Sequence, residues 1–300
     1  MAKTALLATL LVIGIVFIAL WAAAAGRRQR NAPGQEGGTP SLLHTFIGFF
    51  TNFFDTLGIG SFATTTTIFR LLRRVDDQHI PGTLNVGHAI PTVAQAWIYT
   101  TLVQVDFTTL ALLIAAAVGG SWIGAAIVSR MPKAAIQRGM GIALLLAAVL
   151  MVMTALNRMP GGGEATALRG GALILACGIN FALGALMTLG IGLYAPCMIM
   201  VSLMGMNPTV AFPIMMGSCA FLMPVAGIQF INTGRYDLRA ALGLTLGGVP
   251  AVLLAAFLVR SLPLANVRWL VVVVVVYTAV MLLRSAGATE PARASARATH

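Results

Sequence analysis

The stretch Thr56-Leu57-Gly58-Ile59-Gly60 returns as Thr188-Leu189-Gly190-Ile191-Gly192, and this repetition decides how the rest of the sequence is interpreted. Each copy lies inside a long hydrophobic run, over residues 41–74 and 170–204. Paired glycines lack the Cβ atoms that keep a helix straight, so the pattern predicts a helix break in each run. In a membrane, matched breaks in two halves of a chain indicate a transporter binding site, because half-helix ends and free backbone groups then face a substrate.

The composition is that of a polytopic membrane protein. Of 300 residues, 58% are hydrophobic and 9% are charged, and several apolar runs reach the ~20 residues that cross a hydrocarbon core. The net charge of +11 comes from Lys and Arg clustered between these runs, where they set orientation. We therefore exclude nucleic acid as a partner and expect the lipid bilayer instead. Cys177, Cys197 and Cys219 lie in apolar runs without CxxC spacing, which favours packing roles over a disulfide or a metal site.

The chain is predicted to have four parts. Residues 1–40 hold an apolar helix and a Pro/Gly-rich linker, which marks this helix as an appendage; we interpret it as an anchor, with a cleaved signal peptide as the alternative. Residues 41–157 form repeat 1 and residues 158–285 form repeat 2, each a broken or re-entrant helix followed by three transmembrane helices. Residues 286–300 are small, polar and basic, which predicts a disordered tail.

Matching residues keep an offset of about 130 positions between the repeats, which indicates an internal duplication. The matched pairs are Gly87 with Gly217, Gly119-Gly120 with Gly247-Gly248, Arg130 with Arg260, and Pro132 with Pro263. Re-entrant hairpins at both breaks would place fourteen of the nineteen Lys and Arg residues inside, whereas two continuous crossings would divide them almost equally. The positive-inside rule therefore favours hairpins, and three crossings after each hairpin make the repeats inverted.

These pieces resemble the TauE/SafE family of sulfite exporters over residues 41–283. The matching motifs are GIGSF at 58–62, GIGLY at 190–194, Gly87-His88, Gly217-Ser218, the turn Gly234-Arg235-Tyr236-Asp237, and the pairs Gly119-Gly120 and Gly247-Gly248. The sequence departs from the family where each glycine triplet keeps one glycine and where His88 replaces a hydroxyl. The resemblance implies export or uptake of small sulfur-containing anions such as sulfite or sulfonates.

The residues after the first break give a physical reason for an anion. Ser61 and the run Thr64 to Thr67 place five hydroxyls at the start of a helix arm. The first N–H groups of that arm lack intrahelical partners and carry the positive end of the helix dipole, which suits an oxyanion; the alternative is that the hydroxyls bond back to the preceding turn. The second arm starts at Tyr194 and is less polar, so the halves should contribute unequally. The predicted substrate contacts are Gly58, Gly60, Ser61, Thr64, Thr65, Asn85, His88, Gly190, Gly192 and Ser218.

Asp55 and His88 are the candidates for binding a coupling ion. A histidine in an apolar span is costly unless it is used, and imidazole titrates near physiological pH. Asp55 is the acid that lies well inside a hydrophobic run, where it could hold a proton or sodium. The alternatives are a structural hydrogen bond for His88 and a helix cap for Asp55.

The sequence therefore predicts an all-α secondary transporter of the cytoplasmic (inner) membrane that works by alternating access. No enzymatic activity, cofactor or metal is expected, since the sequence contains no P-loop, GxSxG or HExxH motif. The expected partners are a small anionic substrate and the lipid bilayer, with a homodimer as one option. The alternative functions are a permease for another small anion and a non-transporting structural or enzymatic subunit.

Overall fold

A computed structural model describes residues 2–31, 39–158, 161–190 and 192–258, with residues 276, 280, 283 and 284 as isolated positions. The described chain is helical apart from turns and a single bridge between Ala165 and Met206. The span predicted at 267–283 lies almost entirely outside the described residues, and the predicted tail at 286–300 lies wholly outside them.

Eleven α-helices follow one another in the described part of the chain. They are α1 (Ala2–Asn31), α2 (Leu42–Thr56), α3 (Ser61–Leu71), α4 (Ile80–Gly87), α5 (Ala89–Leu102), α6 (Phe107–Val128), α7 (Lys133–Ala155), α8 (Gly170–Met187), α9 (Tyr194–Leu203), α10 (Ala211–Thr233) and α11 (Leu238–Leu258), with a single 3₁₀ turn at Pro208–Val210 before α10. Six segments of the described chain are long and apolar enough to cross a membrane: Lys3–Arg27, Phe107–Val128, Lys133–Thr154, Gly170–Met187, Pro208–Thr233 and Leu238–Phe257. The prediction of an all-α polytopic membrane protein is confirmed.

Both glycine pairs interrupt their helices as predicted. The first break separates α2 from α3 and the second separates α8 from α9. Gly58 and Gly60 have φ angles of 87° and 84°, and Gly190 has a φ angle of 101°. Side chains disfavour this left-handed region, so glycine is what allows the chain to leave the helix there.

Each pair of broken helices returns to the end of the bundle from which it entered. The rings of His44, in the first turn of α2, and Phe69, near the end of α3, lie 5.9 Å apart. In the second pair, Ala165 precedes α8 and exchanges backbone hydrogen bonds with Gly205 and Asn207, which follow α9. Both pairs are therefore re-entrant hairpins.

The two hairpins open toward opposite ends of α6. Asp106, at the start of α6, donates its N–H to the carbonyl of Thr166 at the entrance of the second hairpin, at 3.1 Å. Lys133, just beyond the end of α6, forms an ion pair with Asp76, which follows the first hairpin. Inverted repeats would produce this arrangement; the inverted duplication itself stays a prediction.

Each hairpin packs at glycine on a helix from the other half of the chain. A Cβ atom on Gly247 of α11 would lie 1.9 Å from the carbonyl oxygen of Thr45 in α2. A Cβ atom on Gly120 of α6 would lie 1.9 Å from the carbonyl oxygen of Phe181 in α8. Each of the two matched glycine pairs thus supplies one close helix approach, from the second glycine at Gly119-Gly120 and from the first at Gly247-Gly248. Such approaches hold membrane bundles together.

The first helix is not the appendage that the sequence suggested. Leu10, Phe17 and Trp21 of α1 are buried, and the Phe17 ring packs against Gly227 of α10. An apolar helix has the same composition whether lipid surrounds it or other helices cover one side, so the composition of α1 did not reveal this packing. The helix α1 is part of the bundle.

Candidate functional site

The two breaks meet at one cavity of about 300 Å³. Gly58 and Gly60 line it from the first hairpin, and Gly192 lines it from the second. Most of the remaining wall is apolar, with Leu146, Val149 and Leu150 from α7 and Leu183 and Leu186 from α8. A smaller space of about 10 Å³, enough for roughly one water, shares Gly60 and Gly192 and is also lined by Asp55, Ser61 and Tyr194.

Asp55 joins the two hairpins at this point. Its side chain is buried, and Oδ1 accepts the backbone N–H of Ser61, the first residue of α3, at 2.5 Å. Its Oδ2 atom lies 3.2 Å from the hydroxyl of Tyr194, the first residue of α9. The carboxyl group therefore contacts the first residue of the second arm in both hairpins, and the helix cap considered for Asp55 is present.

Gln95 of α5 completes the cluster around Asp55. Its Nε2 donates to Asp55 Oδ2 at 2.9 Å and to Thr56 Oγ1 at 3.0 Å, and its Oε1 accepts the Tyr194 hydroxyl at 2.7 Å. One turn later, the Tyr99 hydroxyl donates to the carbonyl of Thr56 at 2.8 Å, a group that the break leaves without a helical partner. Gln95, Tyr99 and Tyr194 were not among the predicted site residues, although a glutamine within an apolar span and a tyrosine directly after a break are signals that could have found them.

His88 is buried at the junction between α4 and α5, and both of its ring nitrogens have partners. Nδ1 lies 3.0 Å from Asn52 Oδ1, and Nε2 lies 3.0 Å from the Thr65 hydroxyl. Because Asn52 Nδ2 donates to the carbonyl of Gly48, its Oδ1 must accept, which makes Nδ1 the donor and Nε2 an acceptor for Thr65. His88 lines neither of the two cavities at the breaks.

Pro91 explains why the helix bends beside His88. Proline has no N–H for the carbonyl of Gly87, which would otherwise remain unpaired. The Thr245 hydroxyl of α11 donates to that carbonyl instead, at 2.7 Å. The kink is therefore held by a residue of the other half of the chain.

The other predicted contacts divide between the cavities and local hydrogen bonds. The Thr64 hydroxyl bonds back to the carbonyls of Gly60 and Ser61, as the alternative for the hydroxyl run expected. Ser218 Oγ accepts from Asn180 Nδ2 at 3.0 Å, while its neighbour Cys219 lines the smaller space.

Six predicted contacts line neither cavity at the breaks: Thr64, Thr65, Asn85, His88, Gly190 and Ser218. Asn85 donates to the carbonyl of Pro81 at 2.9 Å, while its buried Oδ1 has no hydrogen-bond partner among the described residues. Gly190 lies in the second break with the side chain of Met140 as its nearest packing neighbour.

A second, basic cavity of about 350 Å³ lies at the end of the bundle where the first hairpin opens. Arg70 pairs with Asp77, and Lys133 pairs with Asp76 at 2.7 Å. Burial alone would raise the pKa of Asp76, but hydrogen bonds from Lys133 and the Gln78 N–H, together with the Lys133 charge, bring it below the usual value. The full lining is Arg70, Arg73, Arg74, Val75, Asp76, Asp77 and Lys133, in which cations outnumber acids.

A helical membrane bundle in which two re-entrant hairpins meet at one cavity is the architecture of a membrane transporter. The family model for the sulfite exporter TauE/SafE matches residues 1–151, half of the chain, and the chain belongs to this family. The matched range includes α1, the first hairpin and most of α7, and it ends before the second hairpin. No curated protein and no solved structure matches the chain. Membership in this family identifies the protein as a membrane transporter.

Proposed function

We propose that the protein is a secondary transporter that moves small sulfur-containing anions, sulfite or organosulfonates, across the cytoplasmic membrane. The observation that supports this most is that Gly58 and Gly60 of one hairpin and Gly192 of the other line the same cavity. Broken helices that meet inside the bundle are the usual substrate site of transporters built from repeats. The candidate contacts are the residues of these two breaks together with Ser61. The surrounding helices are supported by Thr64, Thr65, Asn85, His88 and Ser218.

The helix ends at this cavity favour a negative charge. The helix α3 begins at Ser61 and α9 begins at Tyr194, so both direct the positive ends of their dipoles toward the breaks. The N–H groups after Ser61, those of Phe62 and Ala63, have no partner within the helix, and both residues line the cavity. An oxyanion placed there would gain hydrogen bonds and a favourable field together.

The apolar wall of the cavity favours an organosulfonate over sulfite. Leu146, Leu150, Leu183 and Leu186 would face the water around a bare sulfite ion, at a cost proportional to their apolar area. A sulfonate with a short apolar tail can place its oxygens at the helix ends and its tail along these leucines. Small-molecule sites commonly combine such apolar walls with a few fixed polar groups.

The basic cavity at the mouth of the first hairpin also favours a negatively charged substrate. Arg73 and Arg74 line it beside the Arg70–Asp77 and Lys133–Asp76 pairs. A concave surface with excess positive charge raises the local concentration of anions and their rate of entry. The hairpins open toward opposite ends of the bundle, and we take them as the parts that expose the site alternately to each side.

Counterflow exchange in proteoliposomes tests this function. Purified protein is reconstituted with unlabelled propanesulfonate or sulfite inside, and uptake of the labelled anion is measured without a pH or voltage gradient. We expect exchange, faster with propanesulfonate. Ala195→Phe should fill part of the cavity and slow exchange by about tenfold, the effect of ~1.4 kcal/mol.

The matched control is Ala115→Phe, which adds the same ring to an exposed position of α6. It should exchange at the wild-type rate. If neither anion exchanged in the wild type, or if both variants had the same rate, the proposed function or its site would be wrong.

A further inference from the structure

Asp55 is a buried carboxyl group, and none of the described residues places a cation beside it. Among the described residues, the acids in ion pairs are Asp76 and Asp77, both outside the apolar interior. The titratable groups that face Asp55 are Tyr99 from α5, Tyr194 from α9 and Cys219 from α10. The packed helix α11 contains one charged residue, Arg239, which binds the Thr39 carbonyl at the hairpin entrance. An ionised carboxylate in such a place is strongly disfavoured.

The hydrogen bonds around Gln95 fix the direction of its amide. The Thr56 hydroxyl donates to the carbonyl of Asn52 at 2.8 Å, so its oxygen can only accept from Gln95. The amide nitrogen therefore faces Thr56 and Asp55, and the amide oxygen faces Tyr194.

This orientation leaves one proton missing between Tyr194 and Asp55. The single hydroxyl proton of Tyr194 is used in the 2.7 Å bond to Gln95 Oε1. The oxygen of Tyr194 and Oδ2 of Asp55 lie 3.2 Å apart, and Tyr194 could donate to Oδ2 only by giving up its shorter bond to Gln95. A proton on Oδ2 lets both bonds form at once. The cluster is fully satisfied when Asp55 is protonated and donates to Tyr194.

Asp55 also lies beside the position that an anion would use. Its Oδ1 accepts the Ser61 N–H at the start of α3, beside the cavity shared by Gly60 and Gly192. An ionised Asp55 would repel an anion at this helix end, whereas a neutral one would not.

We propose that Asp55 is the proton carrier of this transporter, binding one proton when the anion binds and releasing both on the other side. The proposal rests on the proposed function and specifies its coupling. The proton is transferred between water and Asp55 Oδ2, and for a sulfonate monoanion the paired movement carries no net charge. His88 is the weaker candidate because Asn52 and Thr65 already satisfy both ring nitrogens of its neutral form.

The test measures propanesulfonate, which stays a monoanion over the pH range used, in proteoliposomes with the membrane potential held at zero. Counterflow without gradients tests transport alone. A gradient of about one pH unit, acid outside, should then drive about tenfold accumulation in the wild type, as expected for one proton per anion. Asp55→Asn should lose this accumulation. Asp106→Asn, a matched change at a helix cap outside the apolar interior, should accumulate like the wild type.

A second measurement does not depend on the fold of Asp55→Asn. A pH dye trapped inside wild-type vesicles should report acidification when propanesulfonate enters, and Asp55→Glu should shift the pH at which this is half-maximal. Three results would overturn the proposal. They are a wild type that exchanges the anion in counterflow but takes up no protons during net propanesulfonate entry, an unchanged pH profile for Asp55→Glu, and accumulation by Asp55→Asn. Loss of counterflow in the wild type would instead refute the transport function itself.

Discussion

The contact between α6 and α8 gives the sharpest test of how the second hairpin is held. Replacing Gly120 by alanine would place its Cβ atom 1.9 Å from the Phe181 carbonyl oxygen and 2.8 Å from the carbonyl carbon. Both are backbone atoms, so no side-chain rotation can relieve the overlap. Because carbon and oxygen approach to roughly 3.3 Å, the two helices must separate locally by about 1.4 Å.

The expected cost follows from two opposing effects. Forcing a methyl group into a packed contact costs up to ~3 kcal/mol, whereas exchanging glycine for alanine favours the helix by ~1 kcal/mol. The net effect for Gly120→Ala is therefore a loss of about 2 kcal/mol, which corresponds to a Tm lower by about 4–8 °C.

Gly119→Ala provides the control one residue away. Its Cβ atom would meet the Phe181 ring at 3.5 Å, an ordinary contact, so only the favourable helix term remains. Thermal unfolding in detergent, followed by size-exclusion fluorescence, should show a lower Tm for Gly120→Ala and an unchanged or higher Tm for Gly119→Ala. Equal Tm values for the two variants would show that this close approach does not hold the hairpin.

Three further changes test the hydrogen bonds around the site and at the helix ends. Tyr194→Phe leaves Gln95 Oε1 without its donor, so Tm should fall by an amount equivalent to ~1–3 kcal/mol and counterflow should slow. Thr245→Val leaves the Gly87 carbonyl unpaired at a similar cost, whereas Thr233→Val at the exposed end of α10 should leave Tm unchanged. Hydrogen bonds from Thr109 lower the pKa of Asp106. The ionised Asp106 therefore stabilises the folded protein fully above the unfolded pKa of about 3.9, and this stabilisation is lost as pH falls through the native pKa. Asp106→Ala should lower Tm at neutral pH and remove this part of the acid dependence in a series of Tm measurements.

The sequence was sufficient to predict the helix breaks because their cause is local. Gly58, Gly60 and Gly190 take backbone angles that other residues disfavour, and the pattern of Lys and Arg indicated that the chain turns back after each break. The packing of α1 was not predictable in the same way. Phe17 contacts Gly227, more than two hundred residues later, and no local pattern distinguishes that contact from one with lipid.

The cavity at the breaks was predictable from the sequence, but the hydrogen bonds around it were not. The breaks do line a common cavity, yet Thr65 is occupied by His88 and Thr64 by its own preceding turn. These hydrogen bonds depend on which side chains the packed helices bring within about 3 Å of one another. The order of residues along one helix does not contain this information. The same holds for Gln95, which reaches Asp55 from a helix forty residues later.

The two halves share a backbone design but differ in chemistry, and in the proposed mechanism this difference would link proton exchange to opening of the site. At the offset of the two glycine pairs, Met187 stands in the second hairpin where Asp55 stands in the first. The second hairpin contributes instead the Tyr194 hydroxyl, which reaches across to Asp55 and Gln95. If the hairpins separate to admit an anion, as we propose, the bond between Tyr194 and Asp55 breaks and water reaches Asp55. In this arrangement the movement that opens the site also lets the carboxyl group gain or lose its proton.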